Sequence, residues 1–215
     1  HNTGGKTYSV AILGSTKNLT NIASYNPVSF GAVGNGSTND TTAMSNCALA
    51  AGANGRIFLP PDLNFRVTAS ISNVANGQTW FGGGTISVAA GTVVPFALAS
   101  SLTEVTFSGI KFVATATMTG GSAISADNTV TKLRIENCSF NLFYAAIDSS
   151  ASDSWISNNV ITNSVIQGIK IGTHASRCSI TGNEIKTVNG ASAYGIDLNG
   201  SSSNPNNDVV VSNNM

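Results

Sequence analysis

The hydrophobic pattern of the chain changes at Gly55, where short alternations of apolar and polar residues begin. From there on, a window of similar pattern repeats, with an apolar residue at its third position and, where the window is complete, at its eighth. The copies are residues 105–112, 133–140, 154–161, 178–185 and 209–215, with a weaker copy at 79–86. Alternation with a period of two predicts half-buried β-strands, and a repeat of this length predicts one supersecondary unit used many times.

Two apolar columns follow from the alignment of these windows. The third positions are separated by 21 to 31 residues, and they are Phe81, Phe107, Ile135, Ile156, Ile180 and Val211. A second column after the windows is Ile124, Ile147, Ile169 and Ile196. Each short unit can bury only one side of its strands. The next unit stacks about 4.8 Å above it, pairs its backbone groups and extends the apolar core. The pattern therefore predicts an all-β fold, a parallel β-helix with one repeat per coil.

The fifth position of the windows is occupied by residues that tolerate a left-handed backbone. It carries Asn137, Asn158 and Asn213, with Gly109 and Gly182 in the same column. Asparagine and glycine adopt positive φ more easily than other residues. We therefore expect a sharp bend after the first strand of each coil, and a structural role for this column.

The N-terminal part of the chain has a different pattern. Residues 1–26 lack a clear period and are interpreted as a leader or linker, and the β-helix domain is placed at 27–215. The polar residues at 37–40 are suitable helix N-caps and Gly52 is a suitable C-cap, which predicts one short α-helix at about 40–51 that caps the solenoid.

The C-terminal end of the pattern is an incomplete window. Residues 209–215 begin a coil whose later strands do not follow, and a natural solenoid end is normally capped. The sequence therefore predicts a β-helix that is truncated at its C-terminus.

Composition and charge narrow the range of partners. Only 9% of the residues are charged, and ten basic residues balance ten acidic ones, so neither nucleic acid nor an anionic membrane is expected as a partner. Asn, Ser, Thr and Gly supply the polar surface instead, which suits tight turns and uncharged partners such as carbohydrate. The three cysteines, Cys47, Cys138 and Cys178, lack metal-type spacing and predict neither a disulfide framework nor a metal site.

Two stretches of the chain carry a family resemblance, VSFGAVGNGSTNDTTA at 28–43 and GRIFLPP at 55–61. They resemble the N-terminal motif of the pectate-lyase superfamily, which is shared by rhamnogalacturonase-like enzymes and many bacteriophage tailspikes. The resemblance is close over about residues 28–75, although Asp62 stands where the family usually has glycine. It implies a right-handed parallel β-helix with a helix over its N-terminal end. It identifies no catalytic group, because the same fold hosts lyases, hydrolases and epimerases.

The resemblance also implies a function and an assembly. Phage tailspikes similar to this chain are homotrimers that bind and often cleave bacterial surface polysaccharide. We therefore expect a virion-tail protein whose partner is a capsule or O-antigen, with glycoside hydrolase or polysaccharide lyase activity and no cofactor. Two alternatives stay open. One is a non-enzymatic glycan-binding adhesin or structural tail-fibre segment, and the other is a secreted pectate-lyase-like enzyme.

The candidate catalytic residues follow the second apolar column, where Asp148, Lys170 and Asp197 occupy outward positions. If their coils are successive, the two carboxylates lie about 9–10 Å apart, two strand spacings. This is near the upper edge of the separation of about 6.5–9.5 Å in inverting glycosidases. The lysine between them favours two ionised carboxylates, which opposes an acid–base pair. A surface ion-pair ladder is therefore the alternative interpretation.

The candidate substrate-binding residues lie on the first and second strands of the coils. Arg134 and Trp155 share one outward position on adjacent coils, where an indole stacks on a sugar ring and a guanidinium binds its hydroxyl or carboxylate groups. The alternative for Trp155 is burial at a trimer interface or under a loop. Glu136 and Glu184 are also predicted to point outward, on different columns. His1 and His174 have no partner that suggests a nucleophilic triad or metal set.

Overall fold

The computed structural model describes residues 24–89, 91–190 and 192–215 of the chain. Most of the leader predicted at residues 1–26, including His1, therefore lies outside the described residues. The first described strand, Ser24–Tyr25, already pairs in parallel with a strand of the solenoid.

The described residues form twenty short strands, one α-helix and one 3₁₀ turn at Pro27–Phe30. In chain order the elements are β1 (Ser24–Tyr25), β2 (Asn35–Asn39), α1 (Thr41–Ala51), β3 (Arg56–Leu59), β4 (Asn64–Val67), β5 (Thr79–Gly82), β6 (Thr85–Val88), β7 (Phe96–Leu98), β8 (Thr106–Ser108), β9 (Lys111–Ala114), β10 (Ser122–Ala126), β11 (Arg134–Glu136), β12 (Ser139–Asn141), β13 (Ala145–Ser149), β14 (Trp155–Ser157), β15 (Val160–Ser164), β16 (Gln167–Ile171), β17 (Ser179–Thr181), β18 (Glu184–Val188), β19 (Tyr194–Leu198) and β20 (Val210–Ser212).

These strands build three parallel sheets. Sheet I has eight strands in the order β1-β3-β5-β8-β11-β14-β17-β20. Sheet II has seven, in the order β2-β4-β6-β9-β12-β15-β18, and sheet III has five, in the order β7-β10-β13-β16-β19. A complete coil, such as β11, β12 and β13, contributes one strand to each sheet in turn. The predicted parallel β-helix is confirmed, with about seven coils.

The register of sheet I confirms the first apolar column except at its first residue, Phe81. Phe107, Ile135, Ile156, Ile180 and Val211 pair in sequence across adjacent strands.

The prediction that Phe81 belongs to this column is wrong, because Trp80 pairs with Phe107 and is fully buried. The bend after Trp80 contains three glycines, at 82–84, and is one residue longer than the bend after Phe107. The window at 79–86 was therefore aligned correctly at Ile86 but was displaced by one residue before the bend. Phe81 therefore points outward.

The second column is confirmed, because Ile124, Ile147, Ile169 and Ile196 pair across successive strands of sheet III. Aromatic side chains fill part of the interior. The Phe96 ring lies 4.9 Å from that of Trp80 and 4.6 Å from that of Phe107, measured between centroids. The inward faces of the sheets thus share one continuous apolar core.

The bend between sheets I and II contains two stacked polar columns. The outer one is the predicted column, in which Asn137, Asn158 and Asn213 have φ of 54° to 55°. The inner one was not predicted, and its members are Asn159, Asn183 and Asn214. The Asn183 amide nitrogen donates to the Asn214 side-chain oxygen at 2.9 Å and to the Ile156 carbonyl at 2.9 Å. Each buried amide is satisfied by the coils on either side, which a buried polar group requires.

The helix predicted near the N-terminus is α1, and it packs against β1, β3 and β4. Asn39, not Asp40, accepts a hydrogen bond from the first helical N–H, that of Thr41, at 3.1 Å. The buried Asp40 carboxylate instead accepts from the N–H groups of Val33 and Gly34, at 2.7 and 3.1 Å. This carboxylate holds the loop before the helix in place.

The three cysteine side chains are buried and free. Burial raises the pKa of Cys47 and of Cys138 to about 12, and it also raises the pKa of Cys178. All three thiols are therefore protonated at neutral pH and serve as small apolar side chains of the core.

Candidate functional site

The outward face of sheet I presents an arginine stacked on a tryptophan. Arg134 and Trp155 are register partners on β11 and β14, so their side chains project side by side. The guanidinium carbon of Arg134 lies 4.1 Å from the centroid of the Trp155 ring, within the range of a cation–π contact. Trp155 is nevertheless 37% exposed, so its ring is accessible to a ligand.

A recess of about 410 Å³ lies beside this pair, and its lining consists of Glu104, Thr106, Lys132, Arg134 and Trp155. Short side chains flank the pair in register, with Thr106 next to Arg134 and Ser179 next to Trp155. The larger side chains therefore stand above their neighbours and form the wall of the recess.

The Arg134 guanidinium keeps its hydrogen-bond donors free. Within residues 24–89, 91–190 and 192–215 it forms no ion pair and donates no side-chain hydrogen bond. Its N–H groups form a planar fork that matches the geometry of a carboxylate or of neighbouring hydroxyls. The contact with Trp155 uses the face of the guanidinium and leaves the fork available.

A column of alternating charges runs along the turns that lead into sheet I. Its members are Glu104, Lys132, Asp153, Arg177 and Asp208, all with φ between 53° and 61°. Each stands directly before one of the repeated windows, and the alternation of sign at that position is the sequence signal that could have revealed the column. We call this column the turn ladder.

Two ion pairs form within the turn ladder. Lys132 Nζ lies 2.7 Å from Glu104 Oε1, and Arg177 Nη2 donates to Asp153 Oδ2 at 2.8 Å. The hydrogen bond and charge of Lys132 lower the pKa of Glu104, and Arg177 lowers that of Asp153 in the same way. Because Lys132 is paired, Arg134 is the cation with free donors in the lining of the recess.

The candidate catalytic residues form a second ladder, on sheet III. Asp148 pairs in register with Lys170 and Lys170 with Asp197, so the three side chains are stacked on β13, β16 and β19. Lys170 Nζ lies 3.0 Å from Asp148 Oδ2, and the Gln167 amide nitrogen donates to Asp197 Oδ2 at 3.3 Å. These contacts engage the amine and both carboxylates within the protein, as expected of a surface ion-pair ladder.

The structure separates the other candidate residues from one another. Glu136 lies on the Arg134 strand of sheet I, in register with Ser108 and Ser157. Glu184 lies on sheet II, where its Oε1 is 2.6 Å from Lys186 Nζ.

The remaining predictions about single residues concern the two histidines. His174 lies in a turn with φ of 72°, and His1 lies outside the described residues.

The binding candidates Arg134, Trp155 and Glu136 lie together on the outward face of sheet I, and the catalytic candidates lie on sheet III. Their roles stay predictions.

Comparison with known proteins supports the fold. No family model matches the chain, and no curated protein matches it. Among solved structures, the chain is similar to the surface protein and adhesin PfbA of Streptococcus pneumoniae, with 13% identity over 89% of this chain and 61% of that chain, at a TM-score of 0.62. It is also similar to the A-module of the mannuronan C-5 epimerase AlgE6 of Azotobacter vinelandii, with 16% identity over 87% and 62% of the two chains, at a TM-score of 0.60.

The chain thus spans 61% and 62% of the lengths of these two structures. At such identities the likeness shows the fold, which is that of the right-handed parallel β-helix proteins. None of the helices in the described ranges is long and apolar enough to cross a membrane.

Proposed function

We propose that this β-helix binds a surface polysaccharide and that sugar rings bind in the recess beside Arg134 and Trp155. The observation that carries the proposal is the exposed indole stacked on a guanidinium whose donors are free. The apolar face of an indole suits the C–H face of a pyranose ring, and the guanidinium donates to hydroxyl or carboxylate oxygens. The low net charge and the Ser-, Thr- and Asn-rich surface agree with such a ligand.

The structural neighbours support this proposal at a general level. One is a bacterial surface adhesin and another is an enzyme that acts on the polysaccharide mannuronan. Together with the motif at residues 28–43, they favour a protein that works outside the cell or on a virion. We propose a tailspike-type homotrimer that recognises a capsule or O-antigen. A trimer mass in light scattering is expected, and a monomer at all concentrations would contradict this assembly.

The test of binding compares two exposed aromatic residues on different sheets. The Trp155→Ala variant and the control Tyr194→Ala are titrated against purified capsule and O-antigen polysaccharides. We expect the first to lower affinity at least about tenfold, as for a stacking anchor, and the second to bind like the unchanged protein. Thermal unfolding of both variants checks that the fold is retained. Equal binding by the folded Trp155→Ala variant would contradict the proposal.

Depolymerisation is the second candidate function, and the spacing of Asp148 and Asp197 on sheet III is the observation that favours it. Register places the two carboxylates about 9–10 Å apart, near the separation of about 6.5–9.5 Å of an inverting pair. If this ladder is catalytic, Asp148→Asn and Asp197→Asn abolish the release of reducing ends but not polysaccharide binding. If the unchanged protein binds a polysaccharide without fragmenting it, this candidate is wrong and the protein acts as an adhesin.

A further inference from the structure

A second arginine–aromatic contact lies on the outward face of sheet I, near its N-terminal end. The guanidinium carbon of Arg56 is 4.7 Å from the centroid of the Phe81 ring. Phe58 and Phe81 are register partners on β3 and β5, and their ring centroids are 5.5 Å apart. Arg56 is exposed and both rings are half-buried. An outward aromatic pair under an arginine repeats the chemistry of Arg134 and Trp155.

The two contacts are aligned along the solenoid. Arg56, Thr79, Thr106 and Arg134 pair in sequence, so both arginines occupy one outward column of sheet I. Three strand steps separate Arg56 from Arg134, a distance of about 14 Å. This is longer than a disaccharide.

The surface between the contacts is low and carries hydroxyl groups. Thr79 and Thr106 form the intervening part of the arginine column, and Ser108 is the register neighbour of Phe81 in the column beside it. All three are half-buried, short side chains between taller ones. The result is a trough with hydroxyl donors and acceptors on its floor and an arginine–aromatic contact at each end.

Both arginines leave their donors free for a ligand. Across the part of the chain that the structure describes, neither the Arg56 nor the Arg134 guanidinium forms an ion pair or a side-chain hydrogen bond. The other cation at the trough, Lys132, is paired with Glu104. Two free guanidinium groups favour a ligand that carries anionic groups, since charge-assisted hydrogen bonds are about twice as strong as neutral ones.

We propose that Arg56, Phe58 and Phe81 form a second sugar subsite, and that one acidic polysaccharide chain occupies both subsites, running across the strands parallel to the solenoid axis. This inference rests on the proposed glycan binding at Trp155 and extends it to the length and charge of the ligand. A chain that reaches both subsites binds the second one intramolecularly, so affinity rises steeply once the chain is long enough.

The experiment measures affinity against chain length by calorimetry. The probes are size-fractionated oligosaccharides of hyaluronan, polysialic acid and polygalacturonate, from the shortest fragment to the octamer, with neutral dextran oligosaccharides as the uncharged series. At least one acidic series is expected to gain about tenfold or more once its length exceeds about 14 Å, and dextran is expected to gain less. Affinity independent of length in every acidic series, or an equal gain for dextran, would overturn the inference.

Variants separate the second subsite from the first. Phe81→Ala and Arg56→Gln are expected to lower the affinity for the long acidic fragments about tenfold and to leave the shortest fragments unchanged. The control Lys111→Gln removes an exposed cation from sheet II and is expected to leave both unchanged. If Trp155→Ala abolishes binding while Phe81→Ala and Arg56→Gln do not weaken it, the second subsite is wrong and the proposed function stands. If no acidic series binds while a capsule or O-antigen polysaccharide does, the inference is wrong and the proposed function stands; if those polysaccharides do not bind either, both are wrong.

Discussion

The outward faces of sheets I and III each carry a cationic side chain stacked in register with its neighbours, but the two cations have different partners. On sheet I, Arg134 lies against the Trp155 ring. On sheet III, Lys170 lies between Asp148 and Asp197 and pairs with the first of them. An aromatic partner leaves the donors of a cation free, whereas a carboxylate engages them. The partner of each cation therefore distinguishes a surface that can bind a ligand from one that is satisfied within the protein.

Removing one positive charge from each face is expected to change glycan affinity very differently. Arg134→Gln is expected to lower the affinity for acidic oligosaccharides about tenfold, because it removes a free charge-assisted donor. Lys170→Gln is expected to leave that affinity unchanged, because its amine is paired within sheet III. Calorimetric titration of both variants measures the difference.

A loss of affinity in Lys170→Gln equal to that in Arg134→Gln would contradict this difference between the two faces. It would mean that the glycan binds on sheet III or responds only to net charge. A neutral dextran titration is the control for general damage to the surface.

A smaller effect is expected from the turn ladder beside sheet I. The pKa values of Glu104 and Asp153 are lowered in the folded chain, chiefly by hydrogen bonds from Lys132 and Arg177. A lowered carboxyl pKa contributes stability that is present above the unfolded value, about 4, and is lost as pH falls through the folded value. We expect the melting temperature to fall on acidification in that range, and to fall less in the Glu104→Gln, Asp153→Asn double variant.

Unfolding curves collected across the acidic range provide the measurement. Lys132→Gln serves as the matched control, because removing the partner of Glu104 is expected to reduce the pH dependence of the melting temperature that Glu104 causes. Identical slopes for the unchanged protein and the double variant would show that these ion pairs do not contribute. Because both carboxylates are on the surface, added salt should also reduce the difference.

The smallest effect concerns the stability that the sheet III ladder provides. The side chains of Lys170 and Asp148 are 29% and 35% exposed, so solvent screens their attraction. We expect Asp148→Asn to lower the free energy of unfolding by less than about 1 kcal/mol. Denaturant unfolding measures it, and a loss of several kcal/mol would show that this ladder is a structural centre of the solenoid.

The sequence predicted the columns of the core because their residues are large, apolar and constant in position. Ile135, Ile156 and Ile180 could be aligned without a structure. The alignment was wrong at Phe81, where Trp80 and Phe81 are both apolar and alternation alone cannot decide which one points inward. The longer glycine bend decides it, and bend length is a property of the folded coil.

The polar columns were predicted less completely. Positive φ at Asn158 followed from residue type, but the buried role of its neighbour Asn159 did not. An asparagine in a bend is usually exposed. The Asn159 amide nitrogen instead donates to the Ile135 carbonyl and the Asn183 side-chain oxygen, and its side-chain oxygen accepts from the Cys138 N–H. The candidate site was also predicted only in part. The pairing of Arg134 with Trp155 followed from register, and the alternating charges before each window carried a signal for the turn ladder that was missed. The Arg56–Phe81 contact depends on Phe81 pointing outward, which the alignment had wrong.

Trp155 is proposed to contact the bound glycan, and the two tryptophans of the chain permit a direct test of this contact. Trp80 is fully buried in the core, whereas Trp155 is exposed on sheet I. In an NMR titration with the polysaccharide that binds best, we expect the indole N–H resonance of Trp155 to shift with saturation and that of Trp80 to stay unchanged. Saturable binding that leaves the Trp155 resonance unmoved would contradict the claim.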